Sequence, residues 1–207
     1  MLTVYGDIRS GNCYKIRLLL DLLGREYAWR HVDVLAGGAR TAEFLALNPN
    51  GKVPLLQLED GATLAESNAI LYLLAQGSRF WPQDALLQAR VLQWQFFEQY
   101  SHEPYIAVAR FINLYLGLPA ERRADYEAKQ GPGHQALAVM ETQLRQTPYL
   151  CGADYSIADI SLYAYTHVAH EGGFDLSGYP ALQAWLLRIA QQPGHKTIAA
   201  YLTEQTA

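Results

Sequence analysis

Dense basic stretches, long hydrophobic runs and a cysteine framework are all absent from this 207-residue chain. With 16 Lys and Arg against 20 Asp and Glu, its net charge of −4 gives no footprint for nucleic acid or an anionic membrane surface. The apolar runs fall far short of the roughly 20 residues that span a bilayer. The opening Met1-Leu2-Thr3-Val4 has neither the basic start nor the apolar stretch of a secretion signal. Two cysteines, Cys13 and Cys151, are too few for a disulfide scaffold and fit a reducing compartment, so a soluble cytoplasmic protein is expected. The six histidines form no H-E-x-x-H or comparable cluster, and no metal is implied.

What is present is a chain half apolar and 17% charged, long enough for a substantial core in one domain or two small ones. Periodicity predicts a strand over 2–5 and a helix with Ile16, Leu19, Leu20 and Leu23 on one face. A second strand over 27–32 and a short helix over 41–47 follow. Strands over 55–58 and 62–64 flank the turn Glu59-Asp60-Gly61, and a helix over 67–75 closes the unit. The order βαβαββα is that of an α/β thioredoxin-like domain, placed at 1–76. After a linker over 77–84 the period becomes helical, and an all-α domain is expected over 85–207. Its first helix runs over 86–116 with an interruption near Pro104, and Gly131-Pro132-Gly133 is expected to break another. Ser156-Ile157-Ala158-Asp159 reads as a capping box with Asp in the place of Glu or Gln.

Two segments carry the functional signal: Asn48-Pro49-Asn50-Gly51-Lys52-Val53-Pro54-Leu55-Leu56 and Leu64-Ala65-Glu66-Ser67-Asn68-Ala69-Ile70. Pro54 precedes a strand and cannot donate a ladder hydrogen bond, and the Val53-Pro54 bond is a candidate for the cis form. Ser67 is positioned to cap the helix of Ile70, Leu73 and Leu74. A turn that bares backbone groups beside a helix N-terminus is a receptor for a small peptide with a free carboxylate.

These motifs resemble the glutathione-binding half of the cytosolic glutathione transferases, and the resemblance extends over essentially the whole chain. It implies that Val53 pairs its backbone with the cysteinyl unit of glutathione beside cis-Pro54, while Glu66 and Ser67 hold the γ-glutamyl end. Lys52 and Arg40 become candidates for the glycine carboxylate. Glutathione is then the co-substrate, and a homodimer is expected.

Ser10 and Cys13 have the spacing of a Cys-x-x-Cys pair whose first member has become serine. In a thioredoxin-like domain the first position lies at the positive end of a helix, where an anion is stabilised. A free thiol of pKa about 8.5 is only a few per cent ionised at pH 7, and lowering it by about two units takes roughly 2.7 kcal/mol. One charge-assisted hydrogen bond (about 1.5–3 kcal/mol) with the helix dipole (about 0.3–1 kcal/mol) is enough. Ser10 is therefore the expected activating hydroxyl, matching the serine-type, theta-like bacterial branch. Activation by Asn12 or backbone amides, and a Cys13-dependent thiol transferase, stay open beside it. So does a glutathione-binding stress or regulatory protein with little transferase activity.

For the second substrate, a small hydrophobic electrophile, the family places the pocket against the first helix of the helical domain. Tyr105, with His102 and Phe111 behind it, is the expected wall, because polar residues at a proline kink seldom serve packing alone. The aromatic series Trp94, Phe96, Phe97 and Tyr100 reads otherwise as core.

Overall fold

The computed structural model describes residues 1–206, with side chains as far as Glu204. The chain divides into two compact units, one of Met1–Ser78 together with the segment from Gln192, the other of Arg79–Gln191.

The first unit is a thioredoxin-like α/β domain. Its elements are β1 (Leu2–Gly6), α1 (Gly11–Leu22), β2 (Tyr27–His31), α2 (Ala42–Leu47), β3 (Leu55–Gln57), β4 (Thr63–Ala65) and α3 (Ser67–Ala75). The sheet has the order β2-β1-β3-β4; β1 and β2 are parallel, while β3 runs antiparallel to both β1 and β4. The pleat sends alternate residues of β1 to opposite faces. Leu2 and Val4 are buried, as are Ile16, Leu19, Leu20, Ile70 and Leu71 of α1 and α3, which pack on each other. Tyr5 joins the cluster of Val32, Ala39, Phe44 and Leu55.

The segment from Gln192 is a correction to the expected boundary at 85–207. Its helix α9 (Ile198–Thr206) clusters with the first unit and not with the helical one. Tyr201 is fully buried, its hydroxyl donates to Asp21 Oδ2 at 2.8 Å, and the Arg17 guanidinium lies 4.1 Å from its ring centroid. Burying one large aromatic side chain contributes about 1.5–3 kcal/mol, which outweighs sequence adjacency.

The second unit is helical. One course runs through α4 (Ala85–Phe97), a wide π-helical turn (Glu98–His102), α5 (Glu103–Arg110) and a second wide turn (Phe111–Tyr115). Pro104 lacks an N–H and its ring crowds the preceding turn, and the wide turn just before it absorbs both defects. The helices α6 (Arg123–Leu144), α7 (Ile157–Thr166) and α8 (Pro180–Ala190) complete the unit.

The break expected at Gly131-Pro132-Gly133 does not occur, because α6 continues through Pro132. Two interior glycines and a proline cost roughly 5 kcal/mol in helix propensity. Against this, Leu137 and Met140 are fully buried, and each such side chain contributes about 1.5–3 kcal/mol. Gly133 serves contact and not flexibility: a Cβ there would collide with the Phe174 ring. Among the described residues, no helix is long and apolar enough to cross a membrane.

The capping box forms at the start of α7. The Ser156 hydroxyl accepts from Ala158 N–H at 3.3 Å, and Asp159 Oδ2 accepts from Ser156 N–H at 3.0 Å.

Candidate functional site

The candidate site residues of the first unit gather where β1 and β4 end and β3 begins. Tyr5 faces Leu55, and Leu55 faces Ala65. Continuing these registers by one pair sets Pro54 opposite both Gly6 and Glu66. The loop after β1, the Val53-Pro54 turn and the start of α3 therefore share one edge. The Val53-Pro54 peptide is cis, and Val53 lies just outside the ladder with its N–H and C=O.

Ser10 is the N-cap residue of α1 and half-buried; its carbonyl accepts from Cys13 and Tyr14 N–H at 3.1 and 2.9 Å. The loop beneath it is pinned by ions. Arg9 donates to buried Asp7 through Nε at 2.9 Å and Nη2 at 2.6 Å, and to Asp33 at 2.8 Å. Asp7 O in turn accepts from Ser10 N–H at 2.9 Å. The Ser10 hydroxyl thus sits on a fixed support at the positive end of a twelve-residue helix.

Ser67 does not cap its own helix, which corrects the reading above. Glu66 occupies the N-cap position, exposed and with φ +68°, and Ser67 is the first residue of α3. The Ser67 hydroxyl donates instead to Asn12 Oδ1 on α1 at 3.1 Å. Beneath both lies Lys15, fully buried, whose Nζ reaches Asn12 Oδ1 at 2.7 Å and Ser67 Oγ at 3.3 Å. Lys15 was absent from the sequence-based site. The available signal was its place on the core face of α1, three and four residues before Leu18 and Leu19.

Arg40 and Lys52 flank the turn. Arg40 Nη1 donates to Asn50 O at 3.4 Å and packs against Gly51, where a Cβ would lie 2.6 Å from that nitrogen. Gly51 also has φ +61°, so glycine is required there twice over. Lys52 O accepts from Asn48 Nδ2 at 2.8 Å, while its side chain is exposed.

Cys13 is fully enclosed. Burial pushes its thiol up to about 12, against hydrogen bonds from the Asp7 backbone and the Ser10 side chain that pull it down. Such a thiol is neutral at pH 7 and shut off from substrate.

The electrophile residues are not held together in this way. His102 is fully buried, with Nε2 2.9 Å from Thr166 Oγ1, so it offers no surface to a ligand; its place as a pocket wall is withdrawn. Tyr105 is half-buried with Lys129 Nζ 5.9 Å from its ring centroid, and Phe111 is 38% exposed. Two cavities of the helical unit are lined by other residues. One of about 550 Å³ includes Arg79, Arg90 and Cys151, and a groove of about 350 Å³ includes Trp94, Phe97 and Val139. Among the described residues no group of three or more His, Cys, Asp or Glu could hold a metal ion.

The comparisons agree with this architecture. The family model of the glutathione S-transferase N-terminal domain matches residues 9–76, and that of the C-terminal domain matches 123–188. The crystal structure of a glutathione S-transferase from Pseudomonas fluorescens Pf-5 is 63% identical, with a TM-score of 0.94 over 95% of this chain and 98% of that one. One from Xanthobacter autotrophicus Py2 is 45% identical, with a TM-score of 0.90 over 99% of this chain and 100% of that one. A curated relative, the disulfide-bond oxidoreductase YfcG of Escherichia coli K12, is 30% identical over 203 residues, 94% of each chain. The chain belongs to the glutathione S-transferase family.

Proposed function

We propose that this chain is a serine-type glutathione transferase that ionises the glutathione thiol at Ser10 and presents the thiolate to a small hydrophobic electrophile. The observation that carries this reading is half-buried Ser10 at the positive start of α1, on a loop fixed by Asp7 and Arg9. Val53 bonds the cysteinyl backbone, and Glu66 and Ser67 take the γ-glutamyl end at the start of α3. Lys52 and Arg40 face the glycine carboxylate, and Asn12 supports the sulfur beside Ser10. The thiol proton leaves to water, and the sulfur lone pair forms the new bond to the electrophilic carbon as that carbon's leaving group departs with its bonding pair, or, on an activated alkene, as the π pair moves to the neighbouring carbon and takes up a proton from water. Positioning and ionisation supply the rate, without a covalent enzyme intermediate. Tyr105 and Phe111 are the residues of the helical unit assigned to the electrophile. The enzyme is cytoplasmic and pairs as a homodimer, a reading supported by exposed Phe96 and Tyr100 on the first helical course.

A Cys13-dependent thiol transfer is the second reading. The activity named for YfcG favours thiol–disulfide chemistry, and the burial of Cys13 weighs against that residue as its agent.

Titration with glutathione, following thiolate absorbance against pH, separates these readings. The bound thiol is expected to titrate about two units below its free value, returning towards it in Ser10→Ala and staying low in Cys13→Ala. Absence of binding, or a bound thiol with an unshifted pKa, would overturn the transferase reading.

A further inference from the structure

Three polar atoms form a closed triangle under the candidate site: Lys15 Nζ, Asn12 Oδ1 and Ser67 Oγ, at 2.7, 3.1 and 3.3 Å from one another. An ammonium donates and never accepts, so the Asn12 atom it touches must be the carbonyl oxygen. The Ser67 hydroxyl donates to the same oxygen. With both lone pairs of Oδ1 engaged, the side that Asn12 presents elsewhere is its NH₂, a donor. Asn12 is half-buried, whereas Lys15 has no exposed surface.

The triangle also has a consequence for Ser67. Its single proton is engaged with Asn12, yet a carboxylate arriving at the start of α3 needs that proton. Turning the hydroxyl towards the ligand would strip Asn12 Oδ1 of one donor in a buried setting. Lys15 keeps the second donor in place, so Ser67 can turn without orphaning the oxygen.

We infer that Lys15 is a positioning residue of the glutathione site: it fixes the Asn12 amide with its NH₂ towards the ligand and frees the Ser67 hydroxyl to meet the ligand carboxylate. This rests on the reading of the site as one for glutathione. The requirement for a cation explains a buried lysine where an unbranched apolar side chain of the same length would fill the space without desolvating a charge.

The test is Lys15→Met in the full chain, with Lys15→Gln as a second variant that keeps a neutral donor. In Lys15→Met the thermal midpoint is expected to hold or rise. The glutathione Kd should weaken about tenfold or more, the worth of one hydrogen bond to a charged group. The bound thiol pKa should rise towards its free value, and Lys15→Gln should fall between Met and the parent. In the ligand-free protein, the Asn12 side-chain amide resonances should move in Lys15→Met. Unmoved resonances would overturn the inference whether or not the parent binds glutathione. So would an unchanged Kd and thiol pKa when the parent binds normally. Loss of the fold in both variants would make Lys15 a structural residue and overturn it equally. Failure of the parent to bind glutathione is a separate result, which removes the proposed function itself.

Discussion

Lys15 in the thioredoxin-like unit and Asp159 in the helical unit are both fully buried ionisable residues near the start of a helix, yet their partners differ in kind. Asp159 Oδ1 accepts from Leu150 N–H and Trp185 Nε1–H, both at 2.9 Å. Its Oδ2 accepts from Ser156 N–H at 3.0 Å and the Ser156 hydroxyl at 3.1 Å. Those donors belong to a loop, a helix cap and α8, and they have nowhere else to turn. Lys15 engages two side chains at the rim of a candidate ligand site. A buried ionisable group tied to backbone and indole holds a fold together. One tied to side chains that also face a ligand sets the state of those side chains.

The comparison can be broken by experiment. Asp159→Ala should have the largest effect, since it strands four buried donors at the junction of α7 and α8. A loss of about 3–5 kcal/mol is expected from denaturant unfolding, and a loss below about 1 kcal/mol would deny Asp159 its structural role.

Glu141→Gln should come next, at about 1–2 kcal/mol near neutral pH. The buried Glu141 carboxylate accepts from Leu182 N–H at 2.8 Å and Ala181 N–H at 3.3 Å, capping α8 from α6, and from Arg145 Nε at 2.9 Å. Burial raises its pKa, but the Leu182 N–H, Arg145 and the Ala181 N–H together hold it below the ordinary 4.5. A depressed carboxylate contributes stability that is present above that value and lost as pH falls through the folded one. The gap between parent and variant in thermal midpoint should therefore shrink on acidification below about pH 4.5. A gap independent of pH would deny the carboxylate its charged role. Asp159 has the opposite sign: burial raises its pKa against its four hydrogen bonds, so its ionisation works against the fold as pH rises.

The smallest effect on stability belongs to Asn12→Ala, about 1 kcal/mol or somewhat more because the buried Lys15 ammonium loses one acceptor and keeps Ser67 Oγ, alongside a clear loss of glutathione affinity in calorimetry. Destabilisation as large as that of Asp159→Ala would collapse the distinction between the two networks.

Much of this was legible in the chain. The βαβαββα order, the helix Ser67–Ala75, the cis bond at Pro54 and the capping box with its Asp variant are local signals, carried by alternation, turn residues and proline. Of the candidate site, Ser10, Asn12, Val53, Glu66 and Ser67 could be singled out from the sequence, by motif or by resemblance. The hydrogen bond of Ser67 to another helix could not, because a serine before an apolar helix reads as a cap whichever partner it takes. Lys15 was hidden for a related reason, since one polar residue on an apolar face shows its position but not its partners.

Local chemistry by itself determined which segments coil, extend or turn in the first unit, because those choices depend on neighbours three or four residues away. Only the tertiary structure decided that α6 runs on through Pro132, that α9 joins the first unit, that His102 is sealed against Thr166, and that Lys15 lies under Asn12 and Ser67. Each of these turns on residues distant in sequence, whose burial and hydrogen bonding outweigh the roughly 1–3 kcal/mol preferences that a local reading can see.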